Sequence, residues 1–179
     1  QSNDDLSVVG EGVEVLVATD HNFITDYAPT IEQLQLQNWA TSMIGLELTT
    51  LESGHFNGYP LRREVGAITK GAFEWSLRPP DELFSELRSL GELGPENTIV
   101  QVNPPRDTIL GYFEEYNVDP LSGALPEPPD CTIPLGNVAG CVLPPNGPAF
   151  RTAEGESTFS FNFDAIEVLN ASVIGQFHH

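Results

Sequence analysis

The chain has 179 residues, 26 of them acidic and 7 basic, for a formal net charge of −19 at pH 7. That length suits one domain, residues 1–179, with a sizeable hydrophobic core. So negative a field disfavours nucleic acid and anionic membranes as partners and attracts divalent cations, although solubility or a saline habitat also accounts for it.

The first predicted element is the Val-rich run Val13–Thr19, which suits a strand covered on both faces. Ile31, Leu34, Leu36 and Trp39 then give a short helix over Ile31–Trp39. Met43–Thr50 reads as a second strand and Gly54–Tyr59 as a third. Pro79-Pro80-Asp81-Glu82 opens the clearest helix, because proline fits a first helical turn and acids favour the positive end of the helix dipole. Leu83, Phe84, Leu87 and Leu90 form its apolar face and Gly91 ends it. Thr98–Asn103 is a fourth strand, stopped by Pro104-Pro105, and Phe161–Leu169 returns to strand character. Between these lies a Pro/Gly-rich irregular insertion at about 117–160, without a sustained period.

Strands alternating with helices predict an α/β fold with mainly parallel strands. No stretch approaches the roughly 20 apolar residues of a membrane span, and no signal peptide is visible. A start on Gln1 reads as a processed chain or a fragment. Cys131 and Cys141 either close a small disulfide loop, as in an exported protein, or remain thiols; with no His beside them they do not make a structural zinc site. The Asn170-Ala171-Ser172 glycosylation triplet carries little information. No Gly-rich phosphate-binding loop is present, which disfavours nucleotide binding of that type.

Polar residues gather where the predicted strands finish. Asp20 and His21 follow the first, Glu47 lies late in the second, His55 opens the third, and Asn103 closes the fourth with Arg106 just beyond. In parallel α/β folds, sites are built at the carboxyl ends of strands. Two imidazoles and two carboxylates suit zinc, manganese or iron, with Asp20 either a ligand or the partner of a ligating His. The competing interpretation of any one such His is a hydrogen-bonded structural residue.

In order, V-A-T-D-H-N, G-L-E-L-T-T, G-H-F-N-G-Y-P, V-Q-V-N-P-P-R and F-D-A-I-E-V-L-N resemble the core of the polymerase-and-histidinol-phosphatase (PHP) family, in its carbaryl-hydrolase-type branch. The resemblance implies a distorted (β/α)7 TIM-like barrel with a multinuclear metal site at the strand ends. It implies hydrolysis of phosphate esters or other esters such as carbamates, on small-molecule substrates. His21, Glu47 and His55 match family ligands, with Asp20 beside the first and Glu47 bridging two ions; Asn103 and Arg106 would support the site or the substrate. The branch favours an exported or periplasmic location.

The departures are specific. The opening H-x-H and closing D-x-H ligands have no counterpart, and Pro104 stands where N-H-P-R has its ligand His. A terminal pair, His178-His179, reads as a tail or tag remnant rather than a replacement. The expectation is therefore an incomplete or open barrel, with edges that a second copy of the chain would cover. One divalent ion, weakly held or absent, is expected rather than a full cluster. The alternative to a metal-dependent hydrolase is a degenerate, non-catalytic module that keeps the fold.

Overall fold

The computed structural model describes residues 10, 12–107, 110–125, 152 and 156–168. In chain order the elements are β1 (Val15–Ala18), α1 (Ala28–Gln33), β2 (Thr41–Ile44), β3 (Leu46–Thr49), β4 (His55–Tyr59), α2 (Pro80–Ser89), a 3-10 turn (Pro95–Asn97), β5 (Ile99–Asn103), α3 (Tyr112–Glu115) and β6 (Ala165–Ile166). Their residues fall into two compact units. The first takes the described residues up to Thr49 with Phe56–Glu74 and Ser85–Gln101; the second takes Thr50–His55, Trp75–Phe84 and the described residues from Val102 onward.

The strands form a two-stranded sheet, β1-β2, and a four-stranded sheet in the order β3-β4-β5-β6. β1 and β2 are parallel, with Val15 opposite Thr41 and Ala18 opposite Ile44. Parallel neighbours need a long crossover, which the segment carrying α1 supplies. Only five residues separate β3 from β4, too few for a crossover, so these hydrogen-bonded neighbours form an antiparallel hairpin. Its turn is locally determined. Ser53 N–H donates to Thr50 Oγ1 (3.0 Å), the Thr50 hydroxyl donates to Gly54 O (2.6 Å), and Thr50 N–H donates to the same carbonyl (3.3 Å). Gly54 takes φ +98°, and a Cβ there would stand 2.9 Å from Leu110 O, so only glycine fits.

This corrects the expectation of a distorted (β/α)7 barrel. The described strands close no barrel. Such a barrel requires a helix between successive parallel strands, and T-T-L-E-S-G makes a hairpin turn instead. Met43–Thr50 is also not one strand. It breaks at Gly45, where the chain passes from pairing with β1 to pairing with β4, and Gly45 forms an antiparallel bridge with Thr25. A Cβ at Gly45 would meet Ala18 O at 2.9 Å and Gly58 O at 3.0 Å, so the crossing of three backbones excludes a side chain.

The first unit buries Ala18, Ile24, Ile31, Leu46, Leu48, Phe56, Leu61, Leu87 and Val100. Burial alternates along β3, whereas along β4 Phe56, Asn57 and Gly58 are all buried between half-buried His55 and Tyr59. Leu46, Leu48, Phe56 and Gly58 are buried, and Leu87 of α2 packs on the glycine, 2.9 Å from where its Cβ would be. The opposite face therefore carries Glu47, Thr49, His55, Asn57 and Tyr59. The α2 prediction holds closely, and Arg88 in its last turn donates to Thr98 O (2.6 Å).

The second unit is built on aromatic rings. Tyr112 is fully buried and stacks on Phe159 at 4.7 Å between centroids; Phe84, Tyr116 and Phe163 meet it edge-on. Its hydroxyl donates to Ser160 O (3.0 Å) and accepts from Ser160 N–H (2.9 Å). Burial pushes the Tyr112 and Tyr116 hydroxyls well above the usual tyrosine value. Among the described residues of the predicted strand Phe161–Leu169, Ala165–Ile166 form β6 and Glu167 N–H donates to Val102 O (2.9 Å), while Phe161 and Phe163 enter the aromatic cluster. Most of the 117–160 insertion, Cys131, Cys141, Asn170, His178 and His179 lie outside the described residues. Among the described residues no helix is long and apolar enough to cross a membrane.

Candidate metal centre

The polarity after β1 follows from strand pairing continued past the strand itself. Glu47 N–H donates to Asp20 O (3.2 Å) and Asn22 N–H donates to Glu47 O (2.8 Å), which makes His21 and Glu47 a parallel bridge. The 26-residue offset that pairs Val15 with Thr41 thus also pairs His21 with Glu47. Residues in register on parallel strands point to one face, so the imidazole and the carboxylate are brought together by register. Their closest atoms, His21 Nδ1 and Glu47 Oε1, are 3.7 Å apart.

The corner is pinned by its neighbours. Asn22 occupies the left-handed region at φ +53°, which Asn tolerates better than most residues. Its side-chain amide mimics a strand partner: Nδ2 donates to Thr49 O (3.1 Å) and Oδ1 accepts from Thr49 N–H (3.0 Å). Thr49 Oγ1 lies 2.5 Å from His21 Nδ1 in a short hydrogen bond. The His21 ring is two-thirds exposed, whereas the Glu47 side chain is 17% exposed. The carboxylate sits deeper than its partner.

His55 is the first residue of β4, and the β3–β4 pairing sets its place. The Thr50 N–H···Gly54 O hydrogen bond closes the hairpin. Carried along the ladder, that register sets Thr49 opposite His55 and Glu47 opposite Asn57. One ligand atom from each of His21, Glu47 and His55 lies within 4.8 Å of the others. Ligands at about 2.0–2.2 Å from one tetrahedral ion stand roughly 3.3–3.6 Å apart.

The remaining candidates go elsewhere. Asp20 accepts from the Tyr27 hydroxyl (3.0 Å) and is not in the converging group. Asn103 is buried at the end of β5. Arg106 donates to Val118 O (2.9 Å) and to Glu114 Oε1 (3.2 Å), and its guanidinium lies 5.7 Å from the centre of the Phe113 ring. It borders a cavity of about 320 Å3 with Pro104, Pro105, Phe113, Ile166 and Glu167, but its polar reach is already used within the second unit. Asp119 is held below the usual carboxylate range by hydrogen bonds from the Ser122 N–H, the Ser122 hydroxyl and the Leu121 N–H; it organises an exposed turn.

Thr49, Asn22 and Asn57 are missing from the sequence prediction. The signal for two of them is the period of 2: Thr49 follows Glu47 by two in E-L-T, and Asn57 follows His55 by two in H-F-N. Asn57 is 7% exposed, and its Oδ1 is a buried acceptor with no hydrogen bond. Comparison of the chain with protein-family models, with curated proteins and with solved structures finds no match.

Proposed function

We propose that the chain is a metal-dependent hydrolase of small phosphate or carboxylic and carbamic esters, with a divalent transition metal held by His21, Glu47 and His55. The observation that carries this reading is the convergence of those three ligands within 4.8 Å, from three separate segments. Two nitrogens and a carboxylate oxygen form the donor set that suits zinc, manganese or iron. They leave coordination positions for water and substrate, as a catalytic site needs and a closed structural site does not. The resemblance of the five ordered segments to the PHP family supports the same chemistry independently of any barrel.

The residues divide the work. His21 would offer one ring nitrogen to the ion, and the short hydrogen bond between its Nδ1 and Thr49 Oγ1 would hold the ring in place. Glu47, mostly screened from solvent, supplies the negative charge that draws a cation to this face. His55 binds from the neighbouring strand. A divalent ion so held lowers the pKa of water and polarises an ester oxygen. The net charge of −19 disfavours polyanionic substrates.

The test is turnover of p-nitrophenyl phosphate, acetate and carbamate esters with added Zn2+ or Mn2+. Activity should appear with metal, vanish on chelation, and fall at least about 100-fold in Glu47→Gln. Turnover that survives both chelation and Glu47→Gln defeats the reading. A degenerate binding module is the second reading, favoured by Pro104 at the position of a family ligand; metal uptake without turnover on any ester class is its signature.

A further inference from the structure

We infer that Asn57 supplies a fourth protein donor, its side-chain carbonyl oxygen, to an ion at the His21–Glu47–His55 group. This rests on the metal-centre reading above and extends it.

Three observations on β3 and β4 carry the inference. First, alternation along β4 places Asn57 on the face that carries His55, since Phe56 between them is fully buried on the other face. Second, the hairpin register fixed by Thr50 and Gly54 sets Asn57 directly opposite Glu47. In that register Thr49–His55 and Glu47–Asn57 are both non-hydrogen-bonded pairs, the closer of the two kinds of antiparallel pair, with Cβ atoms about 4.5–5.5 Å apart. Third, Asn57 is 93% removed from solvent by its exposure of 7%, and Oδ1 meets no donor.

A buried acceptor without a donor is costly, and native folds seldom keep one without a reason. Here the unsatisfied oxygen has a carboxylate as its cross-strand neighbour. An amide oxygen gains nothing from a carboxylate oxygen, and neither β3 nor β4 carries a Lys or Arg to donate to it. A divalent cation fits, because an amide oxygen is an ordinary ligand for Mn2+ and is compatible with the nitrogen and carboxylate donors beside it. An apolar residue at this position would fill the space at less cost if packing were its sole role.

The probe is Co2+, titrated into metal-free full-length protein and read by its visible absorption, whose bands report the number and type of ligands. The wild-type chain should bind one Co2+. Asn57→Leu, which keeps the branching at Cγ and removes the acceptor, should weaken binding roughly 10- to 100-fold and change the band positions. Asn57→Asp should tighten binding at least about tenfold, because a charged oxygen replaces a neutral one. It also carries the test if Asn57→Leu does not fold. Wild-type affinity and an unchanged spectrum in either folded variant overturn the role of Asn57. If at the same time Glu47→Gln abolishes binding, the three-ligand centre stands without it. No Co2+ uptake by the wild-type chain overturns both.

Discussion

Two regions hold buried or half-buried polar atoms, and they treat them in opposite ways. In the second unit, the Tyr112 hydroxyl both donates to and accepts from the Ser160 backbone, so its polarity is satisfied within the fold. On the shared face of β3 and β4, one ligand atom each of Glu47 and His55 lies within 4.8 Å of the other and of His21, and neither strand carries a Lys or Arg. A polar group that completes its own bonds is structural material. On the β3–β4 face the Asn57 Oδ1 is a buried acceptor without a donor, beside ligand atoms, which is the arrangement that motivates the metal proposal.

The largest effect should come from truncating the aromatic centre. Tyr112→Ala removes a fully buried ring and should cost about 3–5 kcal/mol in denaturant unfolding, equally with and without metal. Tyr112→Phe keeps the ring but strands the Ser160 N–H, for about 1–3 kcal/mol, again independent of metal. If added Zn2+ rescued either variant preferentially, the separation between the regions would fail.

Metal should instead govern the other region. At a free Zn2+ concentration 100 times the dissociation constant, binding should stabilise the wild-type chain by about 2.7 kcal/mol. Glu47→Gln should lose that increment and leave metal-free stability unchanged or slightly improved. Thr49→Val should weaken Zn2+ binding roughly tenfold by freeing the His21 ring, without abolishing it. Asp20→Asn should leave affinity within about threefold, because its carboxylate serves Tyr27. A large effect of Asp20→Asn would return that residue to the ligand set.

The smallest and slowest effect is alkaline. Burial raises the Tyr112 and Tyr116 hydroxyls above the tyrosine value of 10.0. Their contribution is therefore fully present below pH 10 and declines as pH rises further, when the unfolded chain releases protons that the folded chain retains. Melting temperatures measured from pH 8 to 11 should fall above pH 10, and less steeply in Tyr116→Phe. A flat profile contradicts the buried, protonated state.

Much of the centre was legible because its logic is local. T-D-H after an apolar run, G-x-E and G-H-F announce two imidazoles and a carboxylate at strand ends, and the structure brings His21, Glu47 and His55 together. Asp20 instead accepts from the Tyr27 hydroxyl, because adjacent residues on an extended chain face opposite ways. Thr49 and Asn57 escaped because their polarity is unremarkable until the β3–β4 register is known.

The fold was less legible. α2 declares itself through Pro80, two acids and the spacing of Leu83, Phe84 and Leu87, and it forms nearly where expected. The barrel failed on two local features. Gly45 lets one apolar run serve two sheets, and the Thr50–Gly54 turn converts a supposed crossover into a hairpin. Both depend on which strands become neighbours, and an apolar run carries no mark of its partner. The strand expected at Phe161–Leu169 forms in part, at Ala165–Ile166, while Phe163 packs on the rings of Phe84 and Tyr112 instead of pairing.

The most direct test is calorimetric titration of Zn2+ into metal-free protein, wild type beside Glu47→Gln. The account predicts one site per wild-type chain and no measurable binding heat for Glu47→Gln at the same concentrations. Equal binding by the two proteins, or none by the wild type, would contradict it.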